Sequence, residues 1–215
     1  MASGIRLKVC GLTTRADAEF AASLGAGYLG YILHPASPRY LPLASFAAVG
    51  HGITGPKKVA VAVEPAPADL AAMSAAGFEY FQIHFRADLP PATVASWAET
   101  VGLDRLWLAP KLPPDRDVPT GLLPLARTFL LDTFHPEKFG GTGLTGDWGK
   151  FSRHQQAHPE KTWILSGGLS PENIRDALTA SGARFVDVNS GVESAPGRKD
   201  HARLRAFVAA LPLAR

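Results

Sequence analysis

The only cysteine of the chain, Cys10, lies at the end of the first apolar stretch, directly before a glycine that ends a strand-like pattern. Alternation along a strand places Arg6 and Lys8 on the same face as Cys10. Leu7 and Val9 lie on the opposite face. An ammonium near a thiol favours the thiolate, which is the form that acts as a base or nucleophile. Cys10 is therefore either a catalytic group, alkylated below the ordinary thiol pKa of about 8.5, or a small buried core residue.

Polar side chains also stand at the ends of other apolar runs, where packing does not require them. They are Gln82, His84, Asp132 and Asp187. A polar group that is buried without a partner costs free energy, so several of them at strand ends favour a functional site. Asp132 is either a general acid that faces Cys10 or a turn residue. His84 is either a site residue or a core histidine whose hydrogen bonds are satisfied.

Arg39 lies in a loop that two prolines restrict, within the sequence HPASPRY. A guanidinium binds a carboxylate through two parallel hydrogen bonds, so Arg39 is a candidate for binding an acidic substrate. The alternative is a solvated loop arginine. The histidines outside the strands lack the spacing of metal ligands, and we expect no metal.

Two glycine-containing loops follow the last two strand-like runs. Gly167 and Gly168 follow the seventh run, and Ser190 and Gly191 follow the eighth. Glycines allow backbone N–H groups to approach an anion closely, and a helix N-terminus adds a favourable dipole. A turn explains each glycine when it is taken alone. Two such loops in succession predict a phosphate site.

Eight strand-like runs alternate with helical or helix-like stretches, an order that predicts an α/β fold, a single (β/α)8 TIM barrel. The runs are residues 5–12, 28–33, 57–63, 80–85, 106–109, 128–133, 163–166 and 185–188. In such a barrel the active site lies at the C-terminal ends of the strands, where the polar residues above fall. The alternative is an open, doubly wound sheet. Such a sheet usually has GxGxxG after its first strand, whereas this chain has CGLTTR there.

Local patterns also indicate several helix ends. Thr14, with Asp17 three residues later, matches a capping box, and Gly25 can end that helix. Asp147 is the expected N-cap of the helix after the sixth strand. Ser170 is the expected N-cap of the helix before the eighth strand. The proline-rich segment after the fifth strand predicts only a short helix.

The composition favours a single globular domain over residues 1–215. The chain has 215 residues, 46% hydrophobic and 19% charged, with a net charge of +3. The basic residues are scattered, so nucleic acid is not an expected partner. No apolar run reaches the ~18 residues of a membrane span, and no signal peptide is recognisable. A lone cysteine indicates a reducing, cytoplasmic location. We expect a monomer or a homodimer.

The motifs around these residues together resemble those of the phosphoribosylanthranilate isomerase family of tryptophan biosynthesis. The resemblance spans nearly the whole chain and depends on five motifs. They are KVCGLT at 8–13, HPASPRY at 34–40, LLD with GGTG and DW within 130–148, SGGLSPEN at 166–173 and VDVNSGVESAPGRKD at 186–200.

The resemblance implies an Amadori rearrangement without a cofactor. It implies Cys10 as the general base and Asp132 as the general acid, on opposite sides of a phosphoribosyl substrate. It also implies that Arg39 binds the anthranilate carboxylate, that Asp187 contacts sugar hydroxyls, and that residues 140–143 belong to a loop that closes over the substrate. Gln82 and His84 are expected substrate-binding residues as well. The implied phosphate ligands are Gly167, Gly168, Ser190 and Gly191.

Three positions depart from the family pattern. Phe85 stands where the family has glycine, and its ring is expected to narrow the pocket or to shift the next loop. Leu144 replaces a basic residue, and Glu64 replaces asparagine at the end of the third strand. Two alternatives stay open: a related barrel acting on another phosphoribosyl substrate, of the histidine-pathway or bifunctional type, and a catalytically silent phosphosugar-binding barrel. The first typically has aspartate in place of Cys10, and the second needs neither Cys10 nor Asp132.

Overall fold

The structure, a computed structural model, describes residues 4–132 and 147–212. Eight parallel strands close into a barrel in chain order, which confirms the predicted TIM barrel. β1 pairs with β8 to close it, and Lys8 lies opposite Asp187 in that pairing. The strands are β1 (Arg6–Val9), β2 (Tyr28–Ile32), β3 (Lys57–Val63), β4 (Tyr80–Arg86), β5 (Leu106–Lys111), β6 (Thr128–Leu131), β7 (Thr162–Leu165) and β8 (Phe185–Val188).

Within the described residues, an α-helix follows every barrel strand except β5. The helices are α1 (Arg15–Ser23), α2 (Phe46–Gly50), α3 (Pro67–Ala75), α4 (Pro91–Val101), α5 (Trp148–Ala157), α6 (Ile174–Ser181) and α7 (His201–Ala210). The segment after β5 forms a 3₁₀ stretch at Thr120–Leu125, which agrees with the expected short helix. Prolines throughout that segment lack the N–H that a longer α-helix needs.

Aromatic rings fill the N-terminal end of the barrel. Tyr28, Tyr80 and Phe185 begin their strands, and with Trp107 they form contacts with ring centroids 4.9–5.7 Å apart. The guanidinium of Arg6 lies 4.6 Å from the ring centroid of Phe185. Because these rings close the floor, the open space of the barrel lies at the C-terminal ends of the strands.

β1 shows the predicted alternation of side chains. Cys10 packs among the side chains inside the barrel. Leu7 and Val9 belong to the apolar layer between the sheet and the helices. Lys8 is fully buried and bonds to Asp187 on the neighbouring strand β8. The side chains of Lys8 and Cys10 therefore both lie inside the barrel.

Two of the expected N-caps are confirmed. The hydroxyl of Thr14 accepts a hydrogen bond from the backbone N–H of Asp17 at 3.2 Å. The carboxylate of Asp147 accepts one from the N–H of Lys150 at 2.8 Å.

The prediction of Ser170 as an N-cap is wrong. The side-chain oxygen of Asn173 accepts from the N–H of Ser170 at 2.9 Å, and its amide donates to the carbonyl of Gly168 at 2.8 Å. These bonds hold residues 170–173 as a turn, so α6 begins only at Ile174. The loop after β7 is thereby fixed by an asparagine side chain.

A short antiparallel hairpin follows β8 and was not predicted. It consists of β9 (Glu193–Ala195) and β10 (Arg198–Lys199), and it follows a 3₁₀ turn at Ser190–Val192. Strands of three and two residues carry too little alternation to be recognised from sequence. None of the described helices has the length and apolarity needed to cross a membrane.

Candidate active site

A cavity of about 330 Å³ opens at the C-terminal ends of the strands. Of the ten residues predicted from the sequence as catalytic, substrate-binding or phosphate-binding, only Gly191 lies outside its lining. The predicted residues that do line it are Cys10, Arg39, Gln82, His84, Asp132, Gly167, Gly168, Asp187 and Ser190. The strand ends thus bring the candidate acid, base and phosphate loops to one cavity.

Lys8 and Asp187 form a buried ion pair beneath Cys10. The ammonium of Lys8 lies 2.6 Å from Oδ2 of Asp187, and both side chains are almost fully excluded from solvent. Oδ1 of Asp187 has no hydrogen-bond partner among the described residues. A free acceptor on a buried carboxylate that lines a cavity is suited to a ligand hydroxyl.

Gly30 makes room for this pair. A Cβ at Gly30 would lie 2.8 Å from Cε of Lys8 and 3.0 Å from Sγ of Cys10. Real side chains do not pack at such distances, so only glycine at this inward-facing position of β2 leaves space for the lysine inside the barrel.

The expectation of a thiol with a lowered pKa is wrong for this structure. Burial raises the pKa of Cys10, and the neighbouring Lys8 opposes that effect without reversing it. Burial also acts to lower the pKa of Lys8, but Asp187 and Cys10 raise it above its usual value. Lys8 is therefore protonated beside the sulfur at neutral pH. Burial is the main reason why ionisation of Cys10 to the thiolate is unfavourable.

Gln82 and His84 form one unit on the inward face of β4. The side-chain nitrogen of Gln82 lies 2.8 Å from Nε2 of His84. Burial, with the nearby charge of Lys8, lowers the pKa of His84 to about 3. A neutral ring whose Nε2 accepts from the glutamine carries its proton on Nδ1. Oε1 of Gln82 is a second buried acceptor without a partner among the described residues.

Arg39 is not a solvated loop arginine, because its residue exposure is only 8%. Its Nε lies 3.0 Å from both carboxylate oxygens of Glu193, and its Nη2 lies 2.7 Å from Oε2. Arg39 also lines the cavity. The guanidinium is thus held in one orientation at the edge of the candidate site.

The loops after β7 and β8 pack against each other through Gly191. A Cβ there would lie 1.9 Å from the carbonyl oxygen of Leu169. Gly167 and Gly168 have φ angles of +93° and +62°, which L-residues with side chains rarely adopt. The three glycines therefore have conformational or packing roles that shape the surface on which Ser190 lies.

The expectation that the ring of Phe85 narrows the pocket is wrong. Its ring points out of the barrel, is 1% exposed and packs edge-on against Trp97 at 5.4 Å. Of the β4 residues, only Gln82 and His84 line the cavity, so the ring of Phe85 does not narrow it. A shift of the next loop stays a prediction. Leu144 and the expected closing loop at 140–143 lie outside the described residues.

Glu64 has a local role at the end of β3. It is the only non-glycine residue with a left-handed backbone, φ +43°, in the described part of the chain. Its carboxylate accepts from the N–H of Arg86 at 2.9 Å, and it does not line the cavity. Glu64 therefore makes a loop contact between the ends of β3 and β4 and has no direct role in the cavity.

The sequence indicated Lys8 only as a positive charge near Cys10, and it indicated no site role for Glu193 or Lys199. The ion pair of Lys8 could have been predicted, since a lysine on the inward face of a barrel strand must have a buried partner. Glu193 and Lys199 lie in a motif that was noted, but their pairing depends on the hairpin β9–β10. The sequence of that hairpin has no strand-like alternation by which it could be recognised.

Comparisons with known proteins place these features in one family. A family model described as N-(5'phosphoribosyl)anthranilate (PRA) isomerase matches residues 7–210. A protein of Cereibacter sphaeroides named N-(5'-phosphoribosyl)anthranilate isomerase is 38% identical over 213 residues, covering 96% of this chain and 98% of the relative.

Solved structures agree with that match. Phosphoribosyl anthranilate isomerase from Thermotoga maritima superposes with a TM-score of 0.82 at 32% identity, covering 96% of this chain and 98% of that one. Another phosphoribosyl anthranilate isomerase, in complex with reduced 1-(o-carboxyphenylamino)-1-deoxyribulose 5-phosphate, gives a TM-score of 0.77 at 30% identity with the same coverage.

Proposed function

This chain belongs to the N-(5'-phosphoribosyl)anthranilate isomerase family, and we propose that Cys10 and Asp132 carry out its Amadori rearrangement. The reaction converts N-(5-phosphoribosyl)anthranilate to 1-(2-carboxyphenylamino)-1-deoxyribulose 5-phosphate in tryptophan biosynthesis. The observation that carries the assignment is that the thiol and the carboxyl group line one cavity together with both glycine loops.

The rearrangement needs one acid and one base. Asp132 donates a proton to the ring oxygen, and the bond from that oxygen to C1 breaks as the amine nitrogen forms a double bond to C1. The thiolate of Cys10 removes the proton from C2. The electrons of that bond form a C1–C2 double bond, and the nitrogen recovers its lone pair. The resulting enolamine tautomerises to the ketone when its hydroxyl loses a proton and C1 gains one. Each of the two groups is expected to contribute roughly 10²–10⁴-fold.

The buried charges support this assignment of the base. Lys8 remains protonated beside the sulfur, so the thiolate forms next to a cation. Asp187 neutralises the same cation, which limits how far Lys8 can favour the thiolate. The resulting site holds a thiol that ionises at elevated pH in the empty enzyme.

The remaining polar groups suit the other parts of the substrate. Oδ1 of Asp187 and Oε1 of Gln82 are buried acceptors, which fits sugar hydroxyls or the amine N–H as donors. His84 is neutral and offers its Nδ1–H. Arg39 binds the ring carboxylate. The phosphate is bound by the loops of Gly167, Gly168, Ser190 and Gly191.

The chemistry uses proton transfers alone, so we propose that neither a cofactor nor a metal takes part. The partner is a small phosphoribosyl substrate, with no role for nucleic acid or a membrane. The lone cysteine favours a cytoplasmic location. The assembly is a monomer or a homodimer.

The test follows the fluorescence decay of phosphoribosylanthranilate generated in situ. Wild type should consume the signal, whereas Cys10→Ala and Asp132→Asn should each lose at least ~10²-fold in kcat while retaining phosphate binding. Cys10→Ser is the matched control, because it keeps the size of the side chain but has no thiolate. A fully active Cys10→Ala would move the base elsewhere, with His84 next. No decay with wild type would contradict the proposed reaction.

A further inference from the structure

The hairpin β9–β10 holds a carboxylate against Arg39, and the mechanism above does not use it. The side chain of Glu193 is 4% exposed and that of Arg39 is 9% exposed. A buried ion pair of this kind gains little stability over apolar packing, because both charges lose their hydration. Its presence beside the cavity therefore suggests a role in the site.

Glu193 is itself fixed from the other strand of the hairpin. The ammonium of Lys199 lies 2.9 Å from Oε1 of Glu193, and the N–H of Gly197 lies 3.3 Å from the same oxygen. Lys199 also donates to Oδ1 of Asn189 at 2.9 Å. These contacts tie the carboxylate to the loop that follows β8.

The chain also makes room for the arginine stem. Gly11 has a φ of +70°, and a Cβ at that position would lie 2.8 Å from Cδ of Arg39. The turn that ends β1 after Cys10 thus packs directly against the aliphatic part of the Arg39 side chain, and only glycine leaves room for it there.

Glu193 occupies only one edge of the guanidinium. It takes Nε–H and one hydrogen of Nη2. Nη1 makes no hydrogen bond within the described part of the chain, and Arg39 lines the cavity. The free edge, formed by Nη1 and the second hydrogen of Nη2, is the fork that takes a carboxylate through two parallel bonds.

The local charge still favours an anion. Arg39 and Lys199 carry two positive charges against the one negative charge of Glu193. The cluster can therefore hold the arginine in place and remain attractive to a carboxylate.

We propose that Glu193 is a positioning residue, which orients the free edge of Arg39 toward the ring carboxylate of the substrate. The inference deepens the proposed function and rests on it. Glu193 acts through Arg39 and does not touch the reacting atoms.

The experiment compares two substrates and a double-mutant cycle. The substrates are phosphoribosylanthranilate and its aniline analogue, which lacks the ring carboxylate. Glu193→Asp keeps the charge but withdraws it by one methylene. It should raise KM for the anthranilate substrate about tenfold, the value of one charge-assisted hydrogen bond, with kcat nearly unchanged. KM for the aniline analogue should not change.

The effect should disappear in an Arg39→Ala background if Glu193 acts through the arginine. Glu79→Asp is the matched control, because Glu79 also pairs with a cation, Lys57, but lies at the start of β4, away from the cavity. Circular dichroism checks the fold, and Glu193→Gln replaces the aspartate variant if that variant is unfolded.

Two results would overturn the inference while leaving the isomerase intact: an equal change of KM for both substrates, or an effect of Glu193→Asp that persists without Arg39. An unchanged KM in Glu193→Asp would also overturn it. A wild-type enzyme that consumes neither substrate would overturn the proposed function and this inference together.

Discussion

The base of the proposed reaction lies between two opposite charges at a depth where water cannot screen them. Lys8 favours the thiolate of Cys10, whereas burial and the carboxylate of Asp187 disfavour it. Electrostatic effects of this kind are strongest in a low-dielectric interior. Lys8 and Asp187 therefore shift the pKa of Cys10 in opposite directions: Lys8 lowers it and Asp187 raises it.

We expect the pH dependence of Cys10 alkylation to show these two opposite effects. In the wild-type enzyme the iodoacetamide rate should rise with a midpoint above the ordinary thiol pKa of about 8.5, because burial disfavours the charged form. Lys8→Met should move the midpoint further up, and Asp187→Asn should move it down. Mass spectrometry reads the modification without ambiguity, since Cys10 is the only cysteine.

The urea-unfolded chain is the control for this series, and its midpoint should return to about 8.5. A wild-type midpoint below that value would show that Lys8 outweighs burial. Shifts of the same sign in Lys8→Met and Asp187→Asn would contradict the opposed-charge arrangement.

At the scale of elements, the phosphate prediction depends on how closely the loops after β7 and β8 approach each other. Gly191→Ala would place a methyl group 1.9 Å from the carbonyl oxygen of Leu169, so the two loops must separate. We expect the inhibition constant of inorganic phosphate to rise at least about tenfold, the equivalent of 1.4 kcal/mol. Competition kinetics against the substrate measures it.

Gly121→Ala is the matched control, since Gly121 has open space around its Cα and an ordinary backbone. It should leave phosphate inhibition unchanged. Equal inhibition constants in Gly191→Ala and wild type would remove the loop after β8 from the phosphate site.

Helix α5 is tied to the proline-rich segment by a buried ammonium. Nζ of Lys150 donates to the carbonyls of Pro113 at 2.9 Å and of Arg116. Lys150→Met leaves these acceptors unpaired, so we expect the free energy of unfolding to fall by about 1–3 kcal/mol. Urea denaturation measures the loss.

Lys57→Met provides the comparison, because Lys57 makes an exposed ion pair with Glu79. Such pairs contribute about 0–1 kcal/mol. If the two lysine variants lose the same amount, the carbonyl contacts of Lys150 do not stabilise the protein beyond an ordinary surface pair.

Local patterns predicted the barrel strands well, because each strand has a run of apolar residues or a period of two that no helix explains. The range of β3, Lys57–Val63, is reproduced without change. The cap at Ser170 was wrong because an asparagine side chain holds the preceding loop as a turn. The hairpin β9–β10 was missed because its stability comes from long-range contacts such as that of Thr13 with Gly197, 2.5 Å apart.

The candidate site was predictable in position and less so in its electrostatics. Barrel topology places strand ends together, so Cys10, Asp132 and Asp187 could be assigned to one cavity from sequence. The pKa of Cys10 could not, since it depends on burial, and burial appears only in three dimensions. The partner of Arg39 could not be predicted either, because 154 residues separate Arg39 from Glu193 and only the fold brings them together.

At the scale of the whole molecule, the neutral His84 links stability to pH. The pKa of His84 is lowered to about 3 by burial, whereas the unfolded chain has about 6.5. Between these values the unfolded state binds more protons than the folded state, so stability falls as the pH falls. From pH 7 to pH 5 the loss attributable to this one group is about 2 kcal/mol.

Urea denaturation at pH 7 and pH 5 tests this linkage through the difference between variants. His84→Gln should lose about 2 kcal/mol less than wild type over that interval, because it cannot bind the proton in either state. His51→Gln is the control for the substitution itself, because His51 is exposed and does not line the cavity. If His84→Gln and wild type lose the same free energy of unfolding, the ring of His84 takes up its proton inside the folded barrel. The bond in which its Nε2 accepts from Gln82 would then have to be reversed, and the substrate-facing tautomer assigned to His84 would be wrong.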